Sequence, residues 1–211
     1  MQNNPDPEVL LRATAELAAV ASRLLYLTIG SLADYWMGVD DAQMAHDVLG
    51  RLFAASGNLF SHEFAEYASV SGQVAGLVLS YPGRRIKDLE IRTALQYIGA
   101  AGLANAVRML VRSYPLQSIA EAAPDEYFLA HIAVLPEYEG RGLGRKLLQR
   151  AEDKAREAAL PKLTLTVDSD NARAIRLYTR AGFNITSTIA LEPLRRRFQC
   201  HGFHHMAKIL R

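Results

Sequence analysis

The 211-residue chain has a single cysteine, Cys200, so no internal disulfide framework can staple it, and a reducing cytoplasm is the expected setting. Long apolar runs are missing as well. Residues 9–29 are rich in Leu, Ala and Val, but Arg12, Glu16 and Arg23 interrupt them, so no membrane partner is expected. Charge of one sign is also lacking: 24 Lys and Arg against 22 Asp and Glu leave a net +2 and a pI near 8.7. That balance gives no argument for a nucleic-acid partner and suits a small anionic ligand equally well. There is no low-complexity linker, internal repeat or long charge block, and nothing marks a domain boundary before Pro124. The opening MQNNPDPE lacks the basic start and short apolar stretch of a secretory signal. What is present is a chain 50% hydrophobic, enough to bury a proper core as one domain.

Apolar spacing predicts a helix over about 7–28 and another over about 41–55, which Asp40 or Asp41 can cap and Gly57 can end. FAEYASV (64–70) and QVAGLVLSY (73–81), separated only by Ser71 and Gly72 and closed by Pro82 and Gly83, read as a hairpin. Residues 85–113 keep a helical spacing broken near Gly99 and Gly102, which implies two helices with a bend, and 114–125 reads as a loop. YFLAHIAV (127–134) is short enough for a strand and is halted by Pro136. A helix over 142–159 follows. Leu143, Leu147, Ala151, Ala155 and Ala158 make its apolar face, while Arg145, Arg150, Glu152, Asp153 and Arg156 cover the other, with Glu152 and Arg156 spaced to pair. LTLTV (163–167) alternates as a strand; Asp170 or Asn171 can cap a helix carrying Ile175 and Tyr178, and Gly182 closes it. FNITSTIAL (183–191) and FHHMAKIL (203–210) complete the set. The order is that of an α/β fold, a mixed sheet with helices on both faces.

PEYEGRGLGRKLL (136–148) lies where a strand hands over to a helix, with glycines at 140, 142 and 144. Amides of such a loop and of the first helical turn have no intrahelical acceptor, and the aligned peptide dipoles leave partial positive charge there. Glycine permits the dihedrals and the close approach that a phosphate needs, and Arg141, Arg145 and Lys146 add charge. A Walker loop requires GxxxxGK followed by Ser or Thr, and a dinucleotide fingerprint requires GxGxxG; this GxGxG is neither. A glycine turn that only lets strand and helix pack is the other reading of an isolated GxG.

Four stretches together, HIAVLPEY, EGRGLGRKLL, LTLTVDSDN and AIRLYTRAGF, resemble the GNAT superfamily of acyl-CoA-dependent N-acyltransferases. The likeness covers 127–183 and extends weakly to the hairpin at 64–81. It implies a mostly antiparallel mixed sheet of about six or seven strands within one N-acetyltransferase domain over 1–211, to which the apolar spacing adds a helical N-terminal part over 1–60 and a helical insertion over 85–125 between the third and fourth strands, neither of which matches the family. The resemblance also implies acetyl-CoA as acyl donor, no metal, and a small-molecule or peptide amine as acceptor, and it leaves room for a homodimer. The family's loop pattern falls on Glu139, Gly142 and Gly144. Glu139 departs from the usual Gln or Arg, and is expected to turn to solvent while amides of 140–145, including those of Gly140, Arg141, Leu143 and Arg145, hold the pyrophosphate. The strand at 130–134 is expected to splay around a bulge and to offer the backbone of Ile132 and Val134 to the pantetheine arm.

Tyr178 takes the place of the family tyrosine that reaches the CoA sulfur, as general acid; a core aromatic beside Ile175 is its other reading. Asn171 would cap its helix and contact the pantetheine. The family's bases fall on Phe128, Ala130 and Thr166, none of which takes a proton well. Glu126, on the strand parity of Phe128 and Ala130, is left as a base acting through water. His131 has a suitable pKa but the opposite parity, and fits a hydrogen-bonded core histidine. The missing carboxylates keep a second function in view, a CoA-binding or regulatory module without turnover. His201, His204 and His205 near Cys200 lack the spacing of a zinc site, and Arg195, Arg196 and Arg197 read as a solvated turn or as a contact for the CoA 3′-phosphate or an acidic acceptor. The acceptor pocket is expected from helices within 30–60 and 85–125 and the loop at 192–202, with Tyr67, Tyr81, Tyr97 and Tyr127 as candidate lining.

Overall fold

In the computed structural model, residues 8–113, 122–190 and 201–210 are described; Cys200, Arg195, Arg196 and Arg197 lie outside them. The described residues open not with a helix but with a strand, β1 (Glu8–Arg12), and helix α1 begins only at Ala18 (Ala18–Ile29). The apolar residues of EVLLR fit either period. The edge of strand β2 (Ala65–Val70) decides between them: its unpaired backbone groups take up β1 antiparallel, Val9 opposite Ser69 and Leu11 opposite Tyr67. Gly30, at φ +61°, separates α1 from a short α2 (Ser31–Trp36). Helix α3 (Ala42–Ala54) starts at Asp41, whose carboxylate accepts the Met44 amide at 3.1 Å.

Strands β2 and β3 (Gln73–Pro82) form the expected hairpin, with Ser71 and Gly72 both at positive φ, as a two-residue turn of the I′ kind requires. Helices α4 (Ile86–Ala101) and α5 (Leu103–Ser113) are inserted before β4 (Tyr127–Val134), and the break falls at Gly102 rather than Gly99. Helix α6 (Leu143–Glu157), β5 (Lys162–Asp168), α7 (Ala172–Arg180), β6 (Asn184–Ala190) and β7 (Gly202–Ile209) complete the chain. The sheet runs β1-β2-β3-β4-β5-β7-β6, antiparallel except for the β4/β5 pair.

One face of the sheet is covered by α1, α3 and α4, through Leu24, Leu49, Phe53 and Leu89 packed on Leu77 and Leu79. The other is covered by α6 and α7, through Leu143, Leu147 and Tyr178 packed with Leu163, Leu165 and Phe183. Each large side chain fully buried in this way stabilises the fold by about 1.5–3 kcal/mol. Glu152, expected on the polar face of α6, is buried instead. Its carboxylate accepts from Lys208 Nζ at 2.6 Å and lies 3.5 Å from Arg156, so two cations offset its desolvation.

Two irregularities in β4 create the working surface. Its register with β3 steps from Leu79 opposite His131 to Ser80 opposite Leu129, leaving Ala130 as the extra residue of a β-bulge. On its other side β4 pairs with β5 only at 127–129 against 163–165. Past that point β5 continues with β7, and residues 130–134 of β4 turn an unpaired backbone edge to the opening V.

Candidate active site

Two clefts occupy the V and meet on α7. The first, about 540 Å³, runs from the free edge of β4 to the start of α6. Gly140 and Gly142 line it at φ +78° and +80°, and a Cβ at either would meet nothing within 4 Å, so conformation rather than crowding calls for glycine. Gly142 is the N-cap of α6, and the first backbone donor inside the helix is Arg145, whose amide goes to Gly142 O at 3.1 Å. The amides of Leu143 and Gly144 therefore precede any intrahelical acceptor and join the loop amides as an anion-binding set. Arg145 also lines the cleft, but its amide is taken up within the helix. Leu143 is buried in the core by its side chain.

The charge lining this cleft comes largely from a source the sequence reading passed over. Arg173, Arg176 and Arg180 recur at three and four on α7 and line the cleft together. Their spacing on one face was the available signal. Arg141 stands apart, with its guanidinium 5.5 Å from the Tyr138 ring centre. Glu139 is exposed, and its carboxylate is ion-paired with Arg173. Its charge is thereby offset at the mouth of an otherwise cationic cleft.

The second cleft, about 400 Å³, is lined by residues 27–32 of α1 and α2, by β4 from Leu129 to Ile132, by Thr166 and Asp168 of β5, and by Phe203. Tyr178, Asn171, Ala174, Ile132 and Leu27 line both clefts. Asn171 caps α7, accepting the Ala174 amide at 3.0 Å. Tyr178 is buried beside Phe183, ring centres 5.9 Å apart, and burial pushes its phenol above the ordinary value, so it carries its proton throughout the neutral range.

His131 lines the second cleft, which strand alternation alone would not have placed there. The bulge at Ala130 cancels the alternation, and the imidazole turns to the same side of the sheet as Phe128. It stacks on Phe60 with ring centres 5.3 Å apart, and Thr28 Oγ1 lies 2.8 Å from Nδ1. Thr28 has a single hydroxyl proton and donates it to Leu25 O at 2.7 Å. Its oxygen therefore accepts from Nδ1–H, and the lone pair of the ring rests on Nε2. Burial holds the imidazole at about 4, neutral at physiological pH.

The remaining sequence candidates lie elsewhere. Glu126 lines neither cleft; it sits at the closed end of the V, bonded to Lys162 Nζ and accepting the Ala123 amide at 3.0 Å. Burial alone would push its carboxyl up, but Lys162 and that amide outweigh burial and hold it below its ordinary value. Tyr81, Tyr97 and Tyr127 are core residues and Tyr67 is partly buried; none lines either cleft. Helices α4 and α5 do not line the second cleft either. His204 and His205 bond Thr188 and Thr186 at 2.8 Å, His201 bonds Asp170, and no group of three or more metal-ligating side chains occurs among the described residues.

Residues 46–183 match the model of the acetyltransferase (GNAT) family. The chain belongs to that family. Over 67 residues it is 42% identical to the [ribosomal protein bS18]-alanine N-acetyltransferase of Escherichia coli (strain K12), which is 32% of this chain and 45% of that protein. It thus spans less than half the length of this curated relative. An N-acetyltransferase from Staphylococcus aureus Mu50 superposes with a TM-score of 0.71 at 22% identity, covering 95% of this chain and all of that one. A PaiA N-acetyltransferase from Thermoplasma acidophilum, solved with coenzyme A, gives 0.54 at 11%, covering 96% of this chain and 99% of that one. At such identities the structures establish the shared fold.

GNAT acetyltransferases use acetyl-CoA, and the residues of this chain fit that donor. Two positive-φ glycines and the amides of 143 and 144 face the first cleft with four arginines, the chemistry a diphosphate asks for. The unpaired edge of 130–134 offers main-chain groups to an amide-bearing arm. No helix among the described residues is long and apolar enough to cross a membrane.

Proposed function

We propose that residues 1–211 act as one N-acetyltransferase domain that transfers an acetyl group from acetyl-CoA to a primary amine by direct attack in a ternary complex. The observation that carries this reading is the meeting of the two clefts on Tyr178, at the point where β4 leaves β5. Bound acetyl-CoA supplies the activated acyl group. Gly140, Gly142, Leu143 and Gly144 hold its diphosphate by their amides, with Arg145, Arg173, Arg176 and Arg180 offsetting the charge, while the backbone of Ile132 and Val134 and the Asn171 side chain hold the arm. That placement brings the acyl carbon to the junction, open to the second cleft.

The acceptor amine enters by the second cleft, where Asp168 is the one carboxylate among the described lining residues and favours a cationic visitor. Nε2 of His131 accepts a hydrogen bond from the neutral amine and so turns the lone pair of the amine nitrogen toward the acyl carbon. A base near 4 is too weak to deprotonate a free ammonium. It can take the proton once the C–N bond forms, when that nitrogen becomes far more acidic. Tyr178 donates to the departing sulfur. A phenol held above 10 is a poor acid toward a thiolate of about 8.5, so its contribution is chiefly a hydrogen bond aimed at developing charge. The acceptor class is a small-molecule or peptide amine, and the single cysteine fits a cytoplasmic setting.

Tyr178→Phe tests the assignment. It should lower kcat by about a hundredfold while acetyl-CoA affinity stays within about twofold, because only a donor to the leaving sulfur is lost. Unchanged turnover in a thiol-release assay would remove Tyr178 from the chemistry.

A further inference from the structure

Helix α4 is apolar on two opposite faces. Ile86, Leu89 and Tyr97 are buried against the body of the protein, while Ile91, Leu95 and Ile98 on the outer side are 63%, 64% and 39% exposed. Across Gly102 the stripe continues on α5, where Leu103, Val107, Leu110 and Val111 are between 55% and 69% exposed. Small residues, Ala94 and Ala104, fill the positions between. A surface helix needs only one apolar face, and a helix that is hydrophobic all round belongs inside something. The seven aliphatic side chains amount to on the order of 800 Å² of contiguous apolar surface, beyond the few hundred expected of a monomer and equal to what each partner brings to an interface of standard size.

We propose that this face is the interface of a homodimer, with α4 and α5 of two copies packed as a four-helix layer across a two-fold axis. Three features choose a second copy over a passing partner. The stripe carries no charge, and Lys87, Asp88, Arg92 and Arg108 stand at its rim, the arrangement of an apolar core inside a polar border. A transient interface is about as polar as the rest of a surface, whereas this patch offers aliphatic side chains alone and suits a permanent partner. A patch that buries itself against its own copy needs nothing else to be made in proportion, which is why closed two-fold dimers dominate soluble assemblies. Two helices with i, i+4, i+7 stripes also supply the ridges and grooves that helix layers use to interdigitate. The insertion lies away from both clefts, so the pairing leaves them open.

Sedimentation equilibrium of the full chain over about 1–100 µM tests the proposal, with Leu95→Glu and Leu110→Glu as variants at solvent-facing positions. The parent should sediment as two chains, and each variant should weaken the association by at least about a hundredfold. Far-UV circular dichroism and acetyl-CoA affinity, both unchanged, would show that the variants are folded. A parent that stays monomeric at the top concentration overturns the proposal, whether because another segment of the chain or a different partner covers the stripe. So does a dimer that both charged variants leave intact, since its interface would then lie elsewhere.

Discussion

The two clefts that meet at Tyr178 are built from different materials. On the diphosphate side the working groups are main-chain amides and an exposed edge of β4, held in place by backbone dihedrals at Gly140 and Gly142. On the acceptor side they are side chains, His131, Thr28 and Asp168, contributed by three elements distant in sequence. A backbone site must conserve conformation and tolerates many neighbours; a side-chain site must conserve identity and geometry together. The first side therefore suits a ligand recognised through backbone shape and charge, and the second one recognised through particular side chains.

The sharpest way to break this contrast is Gly142→Glu. The substitution strains a position at φ +80° by about 1–3 kcal/mol and places a carboxylate among the amides that face the diphosphate. Acetyl-CoA affinity should fall by about a thousandfold, close to 4 kcal/mol, in titration calorimetry. Amine binding to the second cleft should stay within a few-fold. Equal losses on both sides would mean that the clefts share more than Tyr178 and its neighbours.

A smaller effect separates the sides by pH. The folded imidazole of His131 is held at about 4, against about 6.5 in the unfolded chain. Below 6.5 the unfolded chain takes up a proton that the folded one refuses, so stability falls as pH drops from about 6.5 toward 4 and no further from this group. By pH 5 the loss should reach about 2 kcal/mol. His205 is lowered by burial in the same direction, so some acid sensitivity persists without His131. Urea titrations at pH 7.5 and 5 should show a clearly shallower loss in His131→Gln than in the parent; identical losses would mean that the imidazole is hydrated and not held neutral by the fold.

The contrast also governs what could be read from the chain alone. The glycine loop, the α6 start, the Asn171 cap and the hairpin at Ser71-Gly72 announce themselves because backbone conformation leaves its mark on residue type. The arginines of α7 were legible in principle from their spacing. His131 was not, because its direction depends on a bulge at Ala130, a residue that says nothing of bulges, and alternation counted across it turns the ring to the wrong face. β1 was misread because five apolar-rich residues satisfy either period until the open edge of β2 chooses between them. Thr28 lacked any signal: a threonine near a helix end bonds its own backbone in most contexts, and only the tertiary approach of β4 gives it a second partner.

That second partner makes the finest test of the acceptor side. Thr28→Val keeps the shape and removes the hydroxyl, so Nδ1 of His131 loses its acceptor and nothing fixes the proton there. The ring is then free to carry its proton on Nε2, the atom that faces the amine, and a share of molecules present a donor where the reaction needs an acceptor. Turnover should fall by about tenfold, roughly 1.4 kcal/mol, with acetyl-CoA affinity unchanged, and Thr28→Ser should restore it. A packing role alone would give the same kinetic loss, which is why the readout that matters is nitrogen-15 NMR of the imidazole. In the parent the protonated signal belongs to Nδ1; in Thr28→Val part of it should move to Nε2, and in Thr28→Ser it should return. A parent ring already protonated on Nε2 would leave the amine without its acceptor and would shift the burden of catalysis back to the diphosphate side of the V.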